Sequence, residues 1–217
     1  MKLAYLSESE ADEAALKILT EAVLKRSTQA IPLAGLRHRG WPAVQNALPA
    51  VLRALHYHTD AEGLVILVDS NCSPPHLPAH DPGGAAETKC RLCQLRRIAD
   101  ETLSKVHARS HAPPLRVAIG LAVPAIEAWL LCGVNPHVTE AAWFNALQSR
   151  DSKKPYSRQS LKEELYGTSR PWLALEKAKM AEAARRLAKD LSQLKTSFPN
   201  GFGTFAETLQ GWVTRPS

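Results

Sequence analysis

The chain has 217 residues, 45% of them hydrophobic and 22% charged. That is enough apolar content for a folded core and too little charge for chain-wide disorder. The length suits one domain, or one domain with a small helical extension. No apolar run reaches the ~18 residues that a membrane helix needs. The N-terminal MKLAYL is too short for a signal peptide and runs straight into acid, which points to the cytoplasm. The net charge of +6 is spread over Arg37 and Arg39, Arg96 and Arg97, Lys153 and Lys154, and Arg185 and Arg186. Such a surplus suits a nucleic-acid partner and equally suits ordinary solvated faces.

Lys2 to Leu6 reads as a short strand, and SESEAD then opens a helix whose apolar face is Ala15, Ile18, Leu19, Ala22 and Val23. Ala30 to Leu36 is a second strand, which Pro32 assigns to a sheet edge. Pro42 starts a second helix along Val44, Ala47, Leu48, Val51, Leu52 and Leu55, with Pro49 placed to kink or break it. Gly63 to Val68 is continuously apolar, as a strand buried on both faces of a parallel sheet must be, and it ends in Asp69-Ser70-Asn71. A Pro- and Gly-rich loop follows, then a helix over about 85–107, and then a strand from Leu115 to Val123. A helix from Pro124 is closed by Gly133. Alternating strand and helix predict an α/β fold, a mainly parallel sheet flanked by helices, over residues 1–133. Residues 134–217 read as a C-terminal helical extension packed on that core, with a helix over about 173–194 striped by Ala184, Leu187, Ala188 and Leu191.

In parallel α/β sheets, sites form outside the carboxyl ends of the strands. Glu8 and Asp69 fall at two such ends. Two carboxylates 4 Å apart near a surface repel by roughly 4 kcal/mol, a cost that a divalent cation relieves. Oxygen ligands suit Mg²⁺ or Mn²⁺. The same residues also have plain structural uses. Ser7-x-x-Glu10 and Ser9-x-x-Asp12 match helix capping boxes, and Asp69 suits a turn at a strand end.

The segment S-E-S-E-A-D after a short strand resembles the Toprim signature. Glu8 matches its glutamate, Ser9 stands where glycine is usual, and Asp12 matches a second acid four residues on. V-D-S-N is similar to the Toprim D-x-D, with Asp69 at the first acid and Asn71 at the second. P-A-I-E-A-W, with Glu127 and Trp129, and the later L-K-E-E-L-Y-G and F-G-T-F-A-E-T-L look like a small bacterial Toprim-like group related to overcoming-lysogenization-type nucleases. That resemblance implies a Mg²⁺- or Mn²⁺-dependent nuclease acting on DNA or RNA. Glu8, Asp69 and Glu127 would be its catalytic residues, and Glu8, Asp69, Asn71 and Glu127 its metal ligands. It also implies a separate ATPase subunit and a place in phage defence, and it leaves a homo-oligomer open. Asn71 and Ser9 depart from the pattern, and Asn71 favours the alternative of a non-catalytic adaptor or regulatory subunit. A small-molecule enzyme using the same crevice is a third reading.

The four cysteines, in a cytosolic chain, suit thiols or metal ligands rather than disulfides. His76-x₃-His80-x₉-Cys90-x₂-Cys93 offers two nitrogens and two sulfurs, a set that suits a structural zinc site. The spacing is not that of a standard finger, and a CxxC on a helix also describes two small buried residues. His56, His58, His107 and His111 read as exposed helix-end histidines. There is no P-loop, no G-x-G-x-x-G and no G-x-S-x-G. The five tryptophans are scattered and read as buried anchors rather than a base-stacking platform.

Overall fold

The computed structural model describes residues 1–33, 40–80, 88–109, 113–148 and 155–214. Leu36, Arg37, Arg39, His111, Lys153 and Lys154 therefore lie outside the described residues. Four strands, β1 (Lys2–Leu6), β2 (Gln29–Ala30), β3 (Gly63–Asp69) and β4 (Arg116–Ala122), form an all-parallel sheet in the order β2-β1-β3-β4. The α/β class and the parallel sheet expected from the alternation are thus present.

The register places Leu3 to Leu6 beside Gly63 to Ile66, and Gly63 to Asp69 beside Arg116 to Ala122. All seven residues of β3 are buried, which is why that strand carries no polar alternation. β2 is at the edge, as Pro32 implied, but it is shorter than expected. Only Gln29 and Ala30 form it, and Ile31 N–H reaches Leu3 O at 2.8 Å before the proline, which has no N–H to give.

The chain runs from β1 outward to β2, then crosses back over β1 to β3 and on to β4. The direction of winding therefore reverses between β1 and β3. With right-handed crossovers, α1 (Glu10–Leu24) lies on one face and α2 (Gly40–His58) and α3 (Arg91–Leu103) on the other. Packing agrees, since α2 lies against α3, whereas α1 lies against α7 (Leu173–Leu187) and α9 (Thr204–Thr214). α2 continues through Pro49. A proline inside a helix costs ~3 kcal/mol, but Val44, Leu48, Val51, Leu52 and Leu55 are all buried on both sides of it. At ~1.5–3 kcal/mol for each buried side chain, tertiary packing outweighs the local penalty.

Several helices are shorter than their stripes suggested. α3 starts at Arg91, after a turn at Thr88 and Lys89, and stops at Leu103. α4 (Ile126–Leu130) ends before Gly133, which adopts a left-handed φ of +78° in the following turn. α7 stops at Leu187, and Asp190 Oδ1 then accepts from Ser192 N–H at 2.8 Å to open α8 (Ser192–Ser197). Between α4 and α7 lie α5 (Glu140–Gln148) and α6 (Arg158–Tyr166), the latter begun by a reciprocal Ser157–Ser160 capping box.

The C-terminal helices complete the core. Trp129 of α4 packs edge-on to Phe202 at 5.2 Å between ring centroids, and Phe205 lies beside both. Gly201, in a π turn over Pro199–Gly203, sits so close to β4 that an added Cβ would lie 2.3 Å from Leu121 O. The buried Glu140 anchors that turn by accepting from Asn200 N–H at 2.8 Å.

Candidate functional site

The winding reversal between β1 and β3 opens a crevice beyond their carboxyl ends, the usual place for a site in such a sheet. A cleft of about 290 Å³ lies there, lined by Glu8, Asp12, Asp69 and Glu127 among its acids and by Arg158 and Lys162 among its cations. Glu8 follows β1, and its Oε1 accepts from Asp69 N–H at 3.0 Å. Asp69 closes β3. Its Oδ1 accepts from Ile126 N–H at 3.0 Å. That bond caps α4 from another element, since the N-cap residue Ala125 has no side chain that can do so. Glu127 is the next residue, so the bond that satisfies the helix start also delivers its carboxyl to the cleft.

The sequence-predicted Glu8, Asp69 and Glu127 are therefore brought together. Asn71 is not among the residues lining the cleft. It lies in the turn after β3 with φ +52°, a left-handed conformation that asparagine tolerates better than most residues. Its Oδ1 accepts from Arg158 Nη1 at 2.5 Å. Asp12, in the first turn of α1, joins the three acids. Its backbone N–H donates to Ser9 Oγ at 3.2 Å, so Ser9 is the N-cap of α1, whereas Ser7 Oγ donates to Ser9 O, and the Asp12 side chain faces the cleft. Burial first, then the charges of Glu127 and Glu8, push the Asp12 carboxyl up to about 7. Burial, followed by the charges of Glu127, Asp12 and Glu8, likewise raises Asp69, and Arg158 opposes the shift.

Three cations meet these acids. Arg158 Nη2 bonds Asp69 Oδ2 at 2.8 Å. Arg91 Nη1 lies 3.3 Å from Glu8 Oε1 and donates to Asp69 O at 2.6 Å. Lys162 Nζ lies 3.5 Å from Glu176 and 3.9 Å from Glu127. Tyr166 Oη donates to Glu127 Oε1 at 3.4 Å. Glu127 Oε2 is buried and has no hydrogen-bond partner among the described residues. Arg91 and Arg158 were not singled out from the sequence, and Lys162 and Tyr166 entered only as part of the L-K-E-E-L-Y-G segment, with no role assigned. A signal was present all the same: Arg158, Lys162 and Tyr166 recur every four residues, which puts them on one face of α6.

The second cluster also forms. His76, His80, Cys90 and Cys93 place their ligand atoms within 4.8 Å of one another, so together they could hold a metal ion. His76 Nδ1 lies 3.5 Å from Cys93 Sγ and 3.8 Å from Cys90 Sγ. A tetrahedron with metal–sulfur bonds of ~2.3 Å and metal–nitrogen bonds of ~2.0–2.1 Å has edges of roughly 3.4–3.8 Å. Burial, then the neighbouring Cys93, pushes the Cys90 thiol up to about 11, and a bound dication reverses that preference. Arg96 Nη1 lies 3.2 Å from His76 Nε2. A metal on Nδ1 leaves the imidazole proton on Nε2, so Arg96 must then turn aside. Cys72 is exposed and lies outside the cluster.

Other expectations are corrected. His56 is buried rather than exposed, with Nε2 2.7 Å from His107 O. Trp172 is 67% exposed and so is no buried anchor. Arg186, one of the dispersed cations, bonds the carbonyls of Cys132 and Leu130 at the end of α4. No helix among the described residues is long and apolar enough to cross a membrane. No family model, curated protein or solved structure matches the chain.

Proposed function

We propose that the acidic cleft is a divalent-cation site that cleaves phosphodiester bonds in DNA or RNA, in the manner of a Toprim-like nuclease. The observation that carries this reading is the convergence of Glu8, Asp12, Asp69 and Glu127 at the sheet's winding reversal, with Glu127 Oε2 buried and unpartnered among the described residues. The all-oxygen donor set fits a hard cation such as Mg²⁺ or Mn²⁺. Glu8, Asp69 and Glu127 would hold it, and Asn71 would act from the rim through Arg158. The ion would supply Lewis-acid charge at the phosphate and an activated water. Arg158 and Lys162 face the same space, and a phosphate entering it would exchange their carboxylate partners for its own oxygens. The resemblance adds a separate ATPase subunit and a role in phage defence.

A second reading has its own support. Arg158 occupies Asp69 Oδ2 directly, and an arginine so placed neutralises the acid as a cation would. That favours a non-catalytic adaptor in which the ion-paired cleft is an assembly element. Cleavage of labelled single- and double-stranded DNA and RNA by the purified chain, in Mn²⁺ or Mg²⁺, separates the two. Metal-dependent cleavage lost in Asp69→Ala and Glu127→Gln supports the nuclease. Metal binding without cleavage, with or without a partner ATPase, supports the adaptor. Cleavage that survives Asp69→Ala refutes the site.

For the second cluster, two imidazoles and two thiols match the ligand preference of zinc, with all four positions taken by protein. The reading is a structural Zn²⁺ site that pins the loop beyond Asp69.

A further inference from the structure

The two clusters share one short piece of chain. Arg91 is the first residue of α3 and lies between Cys90 and Cys93. From there it reaches the cleft, where its Nη1 contacts both Glu8 Oε1 and Asp69 O. Its guanidinium carbon also stands 4.8 Å from the ring centroid of Trp41 at the start of α2. The first turn of α3 thus touches two residues of the cleft, Glu8 and Asp69, and the start of α2 through Trp41.

That turn has few devices of its own. The N-cap residue is Cys90, whose side chain makes no capping hydrogen bond, and no acid lies in the first turn to complement the helix dipole. What surrounds the helix start instead is the Cys/His cluster. Cys90 and Cys93 flank Arg91 on the helix, and His76 and His80 come from the loop that leaves Asp69. A metal held by all four would tie the loop from β3 to the start of α3 on either side of the arginine.

We propose that metal bound at His76, His80, Cys90 and Cys93 seats Arg91 on Glu8 and Asp69, so that occupancy of the zinc-type cluster sets the arrangement of the acidic cleft. Arg91 is a positioning residue in this scheme, acting through Glu8 and the Asp69 carbonyl. The proposal rests on the zinc reading of the cluster and does not require the cleft to cleave anything.

The test uses the full chain with 5-fluorotryptophan at its five tryptophans. The Trp41 signal is assigned from a Trp41→Phe variant. Zinc is measured by elemental analysis before and after removal with a chelator, and phenylglyoxal modification of Arg91 is followed by peptide mass spectrometry. The expected result is one zinc per chain. Removing it should move the Trp41 resonance to the position it has in zinc-loaded Arg91→Ala and leave the other four within a linewidth. It should also raise the modification rate of Arg91 at least threefold. Cys93→Ser should give the same pair of changes without chelator. Absence of zinc overturns the metal reading itself. Zinc that leaves with Trp41 and Arg91 unchanged overturns the coupling alone. Collapse of all five resonances on zinc removal also overturns the coupling, because the metal would then support the whole fold rather than one helix start. None of these readouts involves cleavage, so they stand apart from the fate of the nuclease reading.

Discussion

Replacing Asp12 with asparagine should stabilise the protein at alkaline pH and leave it unchanged in acid. In the folded chain the Asp12 carboxyl is raised from 3.8 to about 7, first by burial and then by Glu127 and Glu8. A raised carboxylate means that the native state holds a proton which the unfolded state has lost, so stability falls as pH rises between those two values and is level above the higher one. About three pH units at ~1.4 kcal/mol each gives a cost of ~4 kcal/mol by pH 8. Asparagine keeps the shape and removes the charge. The Asp12 backbone N–H that donates to Ser9 Oγ is kept, and the carboxylate's own hydrogen bonds from Ser9, which oppose the shift, pass to the amide oxygen. At ~2–4 °C per kcal/mol for a chain of this size, Asp12→Asn should melt roughly 8–16 °C higher than the parent at pH 8, with the gain shrinking to nothing near pH 4. Thermal unfolding by circular dichroism across that range, in buffer without free divalent ions, measures it. An equal gain at pH 4 and pH 8, or none at pH 8, would show that Asp12 is not raised by burial and by Glu127 and Glu8 as its placement requires.

Millimolar Mn²⁺ should raise the melting temperature of the parent at pH 8, by ~2.7 kcal/mol of stability at a hundredfold excess over Kd, and Glu127→Gln or Asp69→Ala should abolish the rise in the same melting assay. Nucleic-acid affinity, measured by fluorescence anisotropy, should fall with salt with a log–log slope of roughly −1.4 to −1.8 if Arg158 and Lys162 each meet a phosphate, and Arg158→Ala should make that slope shallower by ~0.7–0.9. Gly201→Ala should destabilise the chain by roughly 1–3 kcal/mol in urea unfolding, because its Cβ would stand 2.3 Å from the Leu121 carbonyl and the π turn must lift off β4 to admit it.

The legible part of this protein was the part written in one-dimensional periodicity. β3 announces itself because a strand covered on both faces has no polar position, and its C-terminal Asp69 followed from that. Glu8 was found in the same way, from the end of β1. The helix lengths were less legible. The stripe Ala184, Leu187, Ala188, Leu191 continues in sequence past the point where the helix ends, because apolar spacing says which residues face inward and not where a side chain such as Asp190 captures the next N–H. The basic half of the site was hidden for a different reason. Arg91 and Arg158 stand 67 residues apart by their numbers and meet the acids only through the packing of α3 and α6. Nothing local distinguishes Arg91 from a solvated arginine, and Arg158 is marked only by its four-residue spacing with Lys162 and Tyr166. The Cys/His cluster lay between these cases: its ligand types were readable, but its convergence depended on a loop whose path no spacing rule fixes.

Asn71 is the residue on which the sequence and the folded chain give different accounts. Against a D-x-D pattern it counts as a missing acid, and a missing acid argues for a weakened site. In the cleft the arithmetic differs. Asp12 supplies a fourth carboxyl from α1, so the neutral residue at 71 does not leave the cleft short of negative charge. A further acid beside Glu8, Asp12, Asp69, Glu127 and Glu176 would add to the repulsion that already raises Asp69 and Asp12. Asn71 gives its amide oxygen to Arg158 Nη1 instead, while the other nitrogen of that guanidinium holds Asp69. The bidentate arrangement fixes the arginine at the mouth of the cleft without adding charge. Asn71→Asp should therefore tighten the grip on Arg158 and lower nucleic-acid affinity, since an arginine bonded to two carboxylates has less to offer a phosphate. If Asn71→Asp instead raises both metal affinity and cleavage, position 71 is a ligand position after all, and the asparagine marks a site that has lost part of its charge.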